Sequence, residues 1–281
     1  MAEPFGLSAG AVSIAAAFTT CIDCFGYIQF GRHFGRDFQT DQLTLSCARL
    51  RLARWGESVD IYNDSKLGKV DATEAEIQVA KDTLLQILVL FAETRRISNS
   101  YRSAAKADED LSPFSTDDMD RTIAALDNTM EGLAVKRQKG SRLLKLASWA
   151  LYHRAELKTL LNNIILLIDS IEKLFPAPET QLTLLRQDAA AVGDKESLEL
   201  IKSNAKGVDS LLQTAIQEAL TGHQYLNVVE LEQGGKALIR NKNGDNERSK
   251  VVNNFSGSVS TSGGKAIYGN TIRSNTGTIN F

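Results

Sequence analysis

Few residues of this 281-residue chain are placed to do bond chemistry. The clearest spacing is Cys21-Ile22-Asp23-Cys24, a C-x-x-C pair of the kind used to bind zinc or to cycle a dithiol. A zinc site wants a second ligand pair and only Cys47 remains, so buried, inert thiols are the competing reading. His33, His153 and His223 stand far apart in sequence and nominate neither a ligand set nor a catalytic base. Gly234-Gly235-Lys236 and Gly263-Gly264-Lys265 lack the Ser/Thr and the following helix of a phosphate loop. No metalloprotease, nucleophile-elbow or dinucleotide signature occurs either. The expectation is a chain with no catalytic residue, no cofactor and no metal, so it is not expected to be an enzyme.

The elements that would position any function come from composition and pattern. Apolar residues make up 43% and charged residues 23%, enough for a real core. A net charge of −2 and a pI near 6.0 exclude a generally basic nucleic-acid binder. Three cysteines cannot build a disulfide framework and suit a reducing cytosol. Residues 226–281 break the pattern: seven Lys/Arg face four Asp/Glu, and 19 of the last 31 residues are Gly, Asn, Ser or Thr, with no acid and no proline among them. Two physical regimes share one chain.

The first feature is the start. Phe5 to Ile22 is an 18-residue uncharged run, just at the length where a membrane helix becomes a candidate. Phe5, Gly6, Leu7, Gly10, Val12, Ile14, Phe18 and Ile22 are its candidate insertion residues, and Gly6 and Gly10 form a G-x-x-x-G that permits close helix approach. The run is rich in small residues, and Asp23 at its polar end would cost about 2.5–3.5 kcal/mol near mid-bilayer, so insertion is marginal. No Lys or Arg precedes Arg32, so a secretory signal is not expected. The competing reading is a helix over 8–30, half buried in the domain's own core. Both can hold in different states, with a trigger of a few kcal/mol between them.

From about 38 to 222 the pattern is helical, and nothing alternates with a period of two, so this stretch reads as an all-α bundle. Leu43, Leu45, Leu50, Leu52 and Trp55 precede a turn at Asn63-Asp64. Thr73 with Glu76 reads as a capping box leading a helix through Ile77, Leu84, Leu88 and Phe91. A further helix entered near Ser115 to Asp118 would carry Ile123, Leu126, Met130, Leu133, Leu143, Leu144, Leu146 and Trp149. Leu157 to Phe175 reads as the central core helix, stopped by Pro176 and Pro178. Helices over 180–191 and 195–221 follow.

The tail repeats itself weakly. Gly234-Gly235-Lys236-Ala237 returns as Gly263-Gly264-Lys265-Ala266, 29 residues on. Short β-prone pieces are punctuated by Gly and Asn: Val228-Val229, Val251-Val252, Ala266-Ile267-Tyr268 and Thr278-Ile279. One copy has too little apolar surface to fold alone, but stacked copies would pair every amide and bury a dry interior. The monomer's tail is therefore expected to be disordered and its ordered form amyloid-like. The candidate core residues are Val228, Val229, Gly234, Ala237, Ile239, Asn241, Phe255, Val259, Gly263, Ala266, Ile267, Gly269, Asn270, Ile272 and Ile279. A flexible polar tail is the alternative.

The stretch Asp23-Cys24-Phe25-Gly26-Tyr27-Ile28-Gln29-Phe30-Gly31-Arg32-His33-Phe34-Gly35-Arg36-Asp37-Phe38 resembles the start of the HeLo domain of the fungal HET-s/HET-S family. Glu3-Pro4-Phe5-Gly6, Gln42-Leu43 and the run Ala48 to Glu57 are similar to it as well, and the likeness covers about 1–222. It implies a HeLo-like helical domain over 1–222, with an insertion segment at 5–22, and a prion-forming tail over 223–281. The implied activity is cell death in fungal incompatibility and innate-immune-like defence. A like-sequence template, an allelic prion or the N-terminal motif of an NLR-type receptor, converts the tail to a β-solenoid. Conversion expels the N-terminal helix, which oligomerises and permeabilises the membrane. The implied partners are the chain itself, as amyloid, membrane oligomer and HeLo dimer, together with that template and membrane lipids, but no nucleic acid. The protein is expected in the cytoplasm when inactive and at the plasma membrane afterwards. Asp23 and His33 match activity-linked positions, His33 being the residue of the toxic form. The tail departs from the HET-s two-repeat pattern: Asn227 to Glu230 and Gly234 to Asn241 keep it, whereas Asn254 onward looks more like other fungal amyloid motifs. Whether one or two layers form per molecule stays open. A soluble adaptor with a docking-peptide tail is the competing function.

Overall fold

The computed structural model describes residues 12–35, 37–106, 108–138 and 148–225, with the segments 229–231, 236–243, 252–255, 259–261 and 265–272; side chains are described up to residue 220. The chain divides into two compact units, 1–214 and 215–281.

The first unit is a helical bundle. Helix α1 (Ile14–Gly26) starts at Ser13, whose hydroxyl accepts the Ala16 N–H at 3.1 Å. It is shorter than the 8–30 span and ends at Tyr27, where the chain turns into strand β1 (Ile28–Phe30). Helix α2 (Phe38–Ser58) is the central element. Leu45 through Leu50 and Leu52 through Gly56 are all buried, so it is packed on every side. Helix α3 (Glu74–Ala104) opens on the expected Thr73/Glu76 capping box, with Thr73 Oγ1 accepting the Glu76 N–H at 3.2 Å. Helix α4 (Arg121–Arg137) starts later than expected. Ser115 and Asp118 cap a single 3-10 turn, and Asp120 then caps the helix through the Thr122 N–H at 2.8 Å.

Trp149 does not extend α4. It opens strand β2 (Trp149–Leu151), which pairs in parallel with β1, Ile28 against Trp149 and Phe30 against Leu151. Three residues per strand are too few to leave a period-two signature, so the bundle carries a small sheet that the pattern hid. Leu143, Leu144 and Leu146 lie outside the described residues. Helix α5 (Arg154–Leu174) buries one face only, through Leu157, Leu160, Leu161, Ile164, Ile168 and Ile171, while Leu166 is 63% exposed. Its density of aliphatics reflects a wide apolar stripe; the centre of the bundle belongs to α2. Pro178 does not merely stop α5 but occupies the first turn of α6 (Pro178–Val192), where its missing N–H costs nothing.

The span expected as one helix over 195–221 is two, α7 (Lys195–Asn204) and α8 (Ser210–Thr221). Gly207 takes φ 76° in the turn between them, and Asp209 Oδ1 accepts the Leu212 N–H at 3.0 Å to begin the second helix.

The second unit is built on parallel strand pairs. β3 (Gly222–Tyr225) pairs with β6 (Val252–Phe255), β4 (Val229–Leu231) with β7 (Val259–Thr261), and β5 (Lys236–Asn243) with β8 (Lys265–Ile272). The first two pairs lay the second section on the first at an offset of 30 residues and the third at 29, so the register shifts by one residue between β4 and β5. Over the described strands the second section pairs with the first despite its divergent composition. The change from helix to strand falls between Thr221 and Gly222.

Candidate functional site in the N-terminal helix and the tail

Helix α1 is buried along a run of nine residues, Ala17 to Phe25, and therefore on all sides rather than half. Its polar groups make this tolerable. Thr19 and Thr20 return their hydroxyls to the carbonyls of Ala15 and Ala16, each at 2.8 Å, and Cys21 Sγ donates to the Leu84 carbonyl of α3 at 3.2 Å. Phe18 packs edge-on against Trp55 (6.4 Å) and Tyr62 (5.9 Å), and Phe25 against Phe91 (5.0 Å). Phe18 also lies directly over Gly56 of α2, where an added Cβ would meet its ring at 2.3 Å. At the carboxyl end of α1 the buried Arg49 guanidinium sits beside Gly26, a favourable place for a cation, and pairs with Glu131 at 3.0 Å.

Asp23 is not at a polar end but inside α1, only 5% exposed. Gln138, which caps α4, donates its side-chain amide to Asp23 Oδ1 at 2.8 Å and to the Thr19 carbonyl at 3.1 Å. Asp23 Oδ2 has no hydrogen-bond partner among the described residues. Cys21, Cys24 and Cys47 are free and buried, and burial pushes all three thiols well above their ordinary range, with Cys24 raised further by Asp23 and Cys47 by Asp209. These are the inert thiols of the competing reading. Among the described residues no three His, Cys, Asp or Glu side chains group as a metal site. Two of the distant histidines share one aromatic neighbour. His33, in the 3-10 turn Arg32–Phe34, and His153 both pack against Tyr101, at 6.4 and 4.5 Å.

Of the candidate insertion residues, Phe18 and Ile22 are fully buried in α1, and Val12 and Ile14 are half-buried at its entry. Phe5, Gly6, Leu7 and Gly10 lie outside the described residues. No described helix is long and apolar enough to cross a membrane. Of the tail candidates, Val229, Ala237, Ile239, Asn241, Phe255, Val259, Ala266, Ile267, Gly269, Asn270 and Ile272 lie on paired strands, with Ala237 against Ala266 and Asn241 against Asn270. Val228, Gly234, Gly263 and Ile279 lie outside the described residues.

Residues 6–201 match the model of a family described as "HeLo: Prion-inhibition and propagation". The chain belongs to the HeLo family. It is 34% identical to heterokaryon incompatibility protein s of Podospora anserina over 244 residues, which cover 86% of this chain and 84% of that protein. Heterokaryon incompatibility protein S of the same fungus is 33% identical over the same share. The solved HET-S N-terminal domain superposes with a TM-score of 0.71 at 35% identity, covering 77% of this chain and 97% of that domain, and a doubly substituted HET-s N-terminal domain with 0.69 at 34%.

Reading by residue type missed the polar interior of this HeLo body. Arg54 is fully buried and ion-paired to Asp209 and, at 3.4 Å, to Asp188. Arg137 grips Asp188 at 2.6 Å and Glu57 at 2.7 Å. Arg51 reaches Asp169 at 2.6 Å and the Val208 carbonyl at 2.8 Å. Burial alone would lower the pKa of Arg54, but the Asp209 and Asp188 carboxylates outweigh it and hold it above its ordinary value. The signal was present in Arg49, Arg51 and Arg54, three cations set in an otherwise apolar run.

Proposed function

We propose that this protein is a non-enzymatic cell-death executioner acting in heterokaryon incompatibility, as the names of its relatives describe, or in receptor-triggered defence. A template carrying a matching motif, an allelic prion or an NLR-type receptor, orders the tail into a fibre. Helix α1 with the uncharged residues before it then leaves the body, oligomerises and permeabilises the plasma membrane, the protein being cytoplasmic until that point. The observation that carries the reading is the pairing of two features in one chain. One is a helix whose threonine hydroxyls bond back to its own carbonyls, as a bilayer demands. The other is a tail whose two sections pair strand by strand in parallel.

The described part of the segment, Val12 to Ile22, spans about 17 Å as a helix, roughly half of a ~30 Å hydrocarbon core. Deleting residues 5–11 therefore leaves every described contact of α1 in place but makes the segment too short to cross. The deletion variant, seeded with fibres of the full-length chain, is expected to assemble normally and to leave dye-loaded vesicles sealed, while the unaltered chain empties them. Leakage that survives the deletion refutes insertion of this segment, and an unaltered chain that never causes leakage points to the adaptor reading.

A further inference from the structure

The residue that caps α8 and the residue that holds α1 are the two ends of one chain of buried polar contacts. Asp209 Oδ1 caps α8 at 3.0 Å and its other oxygen accepts from Arg54 Nη2. Arg54 Nη1 donates to Asp188 Oδ2 at 3.4 Å. Asp188 also accepts from Arg137, Nη2 to Oδ1 at 2.6 Å and Nη1 to Oδ2 at 3.1 Å. Gln138, next in the chain, donates to Asp23 and Thr19 of α1. We infer that Asp209, Arg54, Asp188, Arg137 and Gln138 form a relay through which unwinding of the first turn of α8 loosens the grip on α1.

The physical reason is the intolerance of a buried charge to losing its partner. Arg54 is 0% exposed, and removing one carboxylate from it leaves an uncompensated guanidinium in the core unless it re-pairs. The only other carboxylate it touches in the described contacts is Asp188, which already serves Arg137. Competition there weakens the hold on the last turn of α4, leaving Glu57 as the second partner of Arg137. That turn carries Gln138, the described donor to Asp23, whose other oxygen is already unpartnered. Arg51 adds a second hold on the same end through the Val208 carbonyl, so the turn before α8 is gripped at two successive residues. Strand β3 begins directly after α8, so strand pairing that spreads backward past Gly222 removes α8 residue by residue toward Asp209. This inference rests on the reading of α1 as the released element.

The test uses the thiols that α1 already carries. Full-length chain is labelled with a maleimide and the sites are quantified by mass spectrometry, Cys21 and Cys24 reporting α1 and Cys47 on α2 reporting general unfolding. Asp209→Asn and Gln138→Ala are each expected to raise labelling of Cys21 and Cys24 by about tenfold or more relative to Cys47, the scale of losing a buried hydrogen bond to a charged group. The double variant is expected to match the larger single effect. An equal rise at all three thiols, no rise, or multiplication of the two effects overturns the relay. Should Asp209→Asn not fold, hydrogen exchange in the unsubstituted chain after fibre seeding decides: amides 134–138 are expected to open no later than amides 17–25, and the reverse order overturns the relay. Vesicle leakage in parallel separates the two readings. Leakage with independent labelling effects retires the relay alone, whereas sealed vesicles with the seeded unsubstituted chain retire the proposed function.

Discussion

Gly56→Ala is the sharpest probe of how α1 is held. On an exposed helix the change would stabilise by about 1 kcal/mol, because alanine is the better helix former. Here the new methyl would lie 2.3 and 2.4 Å from Phe18 Cζ and Cε2, against an ordinary carbon contact of about 3.5–4.0 Å. Phe18 has nowhere to move: it is fully buried and wedged between Trp55 and Tyr62. Overpacking of this kind costs about 1–3 kcal/mol, and displacing the ring also weakens two edge contacts of about 0.5–1.5 kcal/mol each. Net of the helix-propensity gain, the variant is expected to be less stable by about 2 kcal/mol, with an approximately thirtyfold rise in opening of α1. Urea denaturation measures the first quantity, and labelling of Cys21 and Cys24 the second. Phe18→Leu in the same background makes room for the methyl, so the double variant should recover at least about 1 kcal/mol relative to the sum of the singles. A Gly56→Ala protein that is more stable than its parent, with thiol labelling unchanged, would refute the seating of Phe18 on α2.

Glu76 gives a pH prediction. The Lys69 side chain, then the Thr73 N–H and hydroxyl, hold its carboxylate well below its ordinary range, at about 2. A carboxylate lowered on folding stabilises the native state above its unfolded pKa and loses that contribution as pH falls through the folded value. Glu76→Gln should therefore lower the unfolding midpoint at pH 7 and by progressively less as the pH falls toward 2; an equal deficit at both pH values would dissociate the capping box from this charge. Asp188 has the opposite sign, since burial raises its pKa despite Arg137 and Arg54, and its ionisation opposes folding progressively less as the pH drops through that raised value toward the unfolded one. Asp188→Asn removes that relief and should steepen the acid limb of the stability profile, and a flatter limb would contradict the assignment. In the tail, nitroxides at Ala237 and Ala266, diluted into fibres of unlabelled chain, should show strong spin exchange at about 4.8 Å. The pair Ala237 and Ile272 should not, and equal coupling in both would rule out the register.

Legibility of the fold tracked the range of the forces involved. The Thr73/Glu76 cap, the aliphatic stripe of α5 and the Gly-Gly-Lys-Ala repeat are local, and each could be read from neighbouring residues. The β1–β2 pair joins residues more than a hundred positions apart through three-residue strands, so no local period announces it. Arg54 was invisible for a related reason: its partners Asp188 and Asp209 lie on distant elements, and a cation in an apolar run looks solvated until those acids fold onto it. The break between α7 and α8 turned on Gly207 at positive φ and on Asp209 as a cap, a local signal masked by the continuous apolar spacing of Leu198, Ile201, Val208, Leu212 and Ile216. For the candidate site, residue types identified α1 and the tail strands. The depth at which α1 is buried depended on Trp55, Tyr62, Leu84 and Gln138, which sequence proximity does not connect to it.

That depth changes the energetic argument about release. The uncharged composition of the segment suggests a switch that a few kcal/mol can throw. Phe18, Ile22 and Phe25 alone, 0–2% exposed, contribute about 1.5–3 kcal/mol each through burial, hence roughly 5–9 kcal/mol for the docked helix. A whole domain is stable by only about 5–15 kcal/mol. Composition alone therefore does not set how firmly helix α1 is held: the contacts that retain it come from α2, α3, the end of α4 and Tyr62. Any process that extracted it would first have to weaken the contacts that seat it. A polar network threaded through α2, α4, α6 and the start of α8 is suited to that, because its members are stable only together and a loss at one end is felt as unpaired charge at the next.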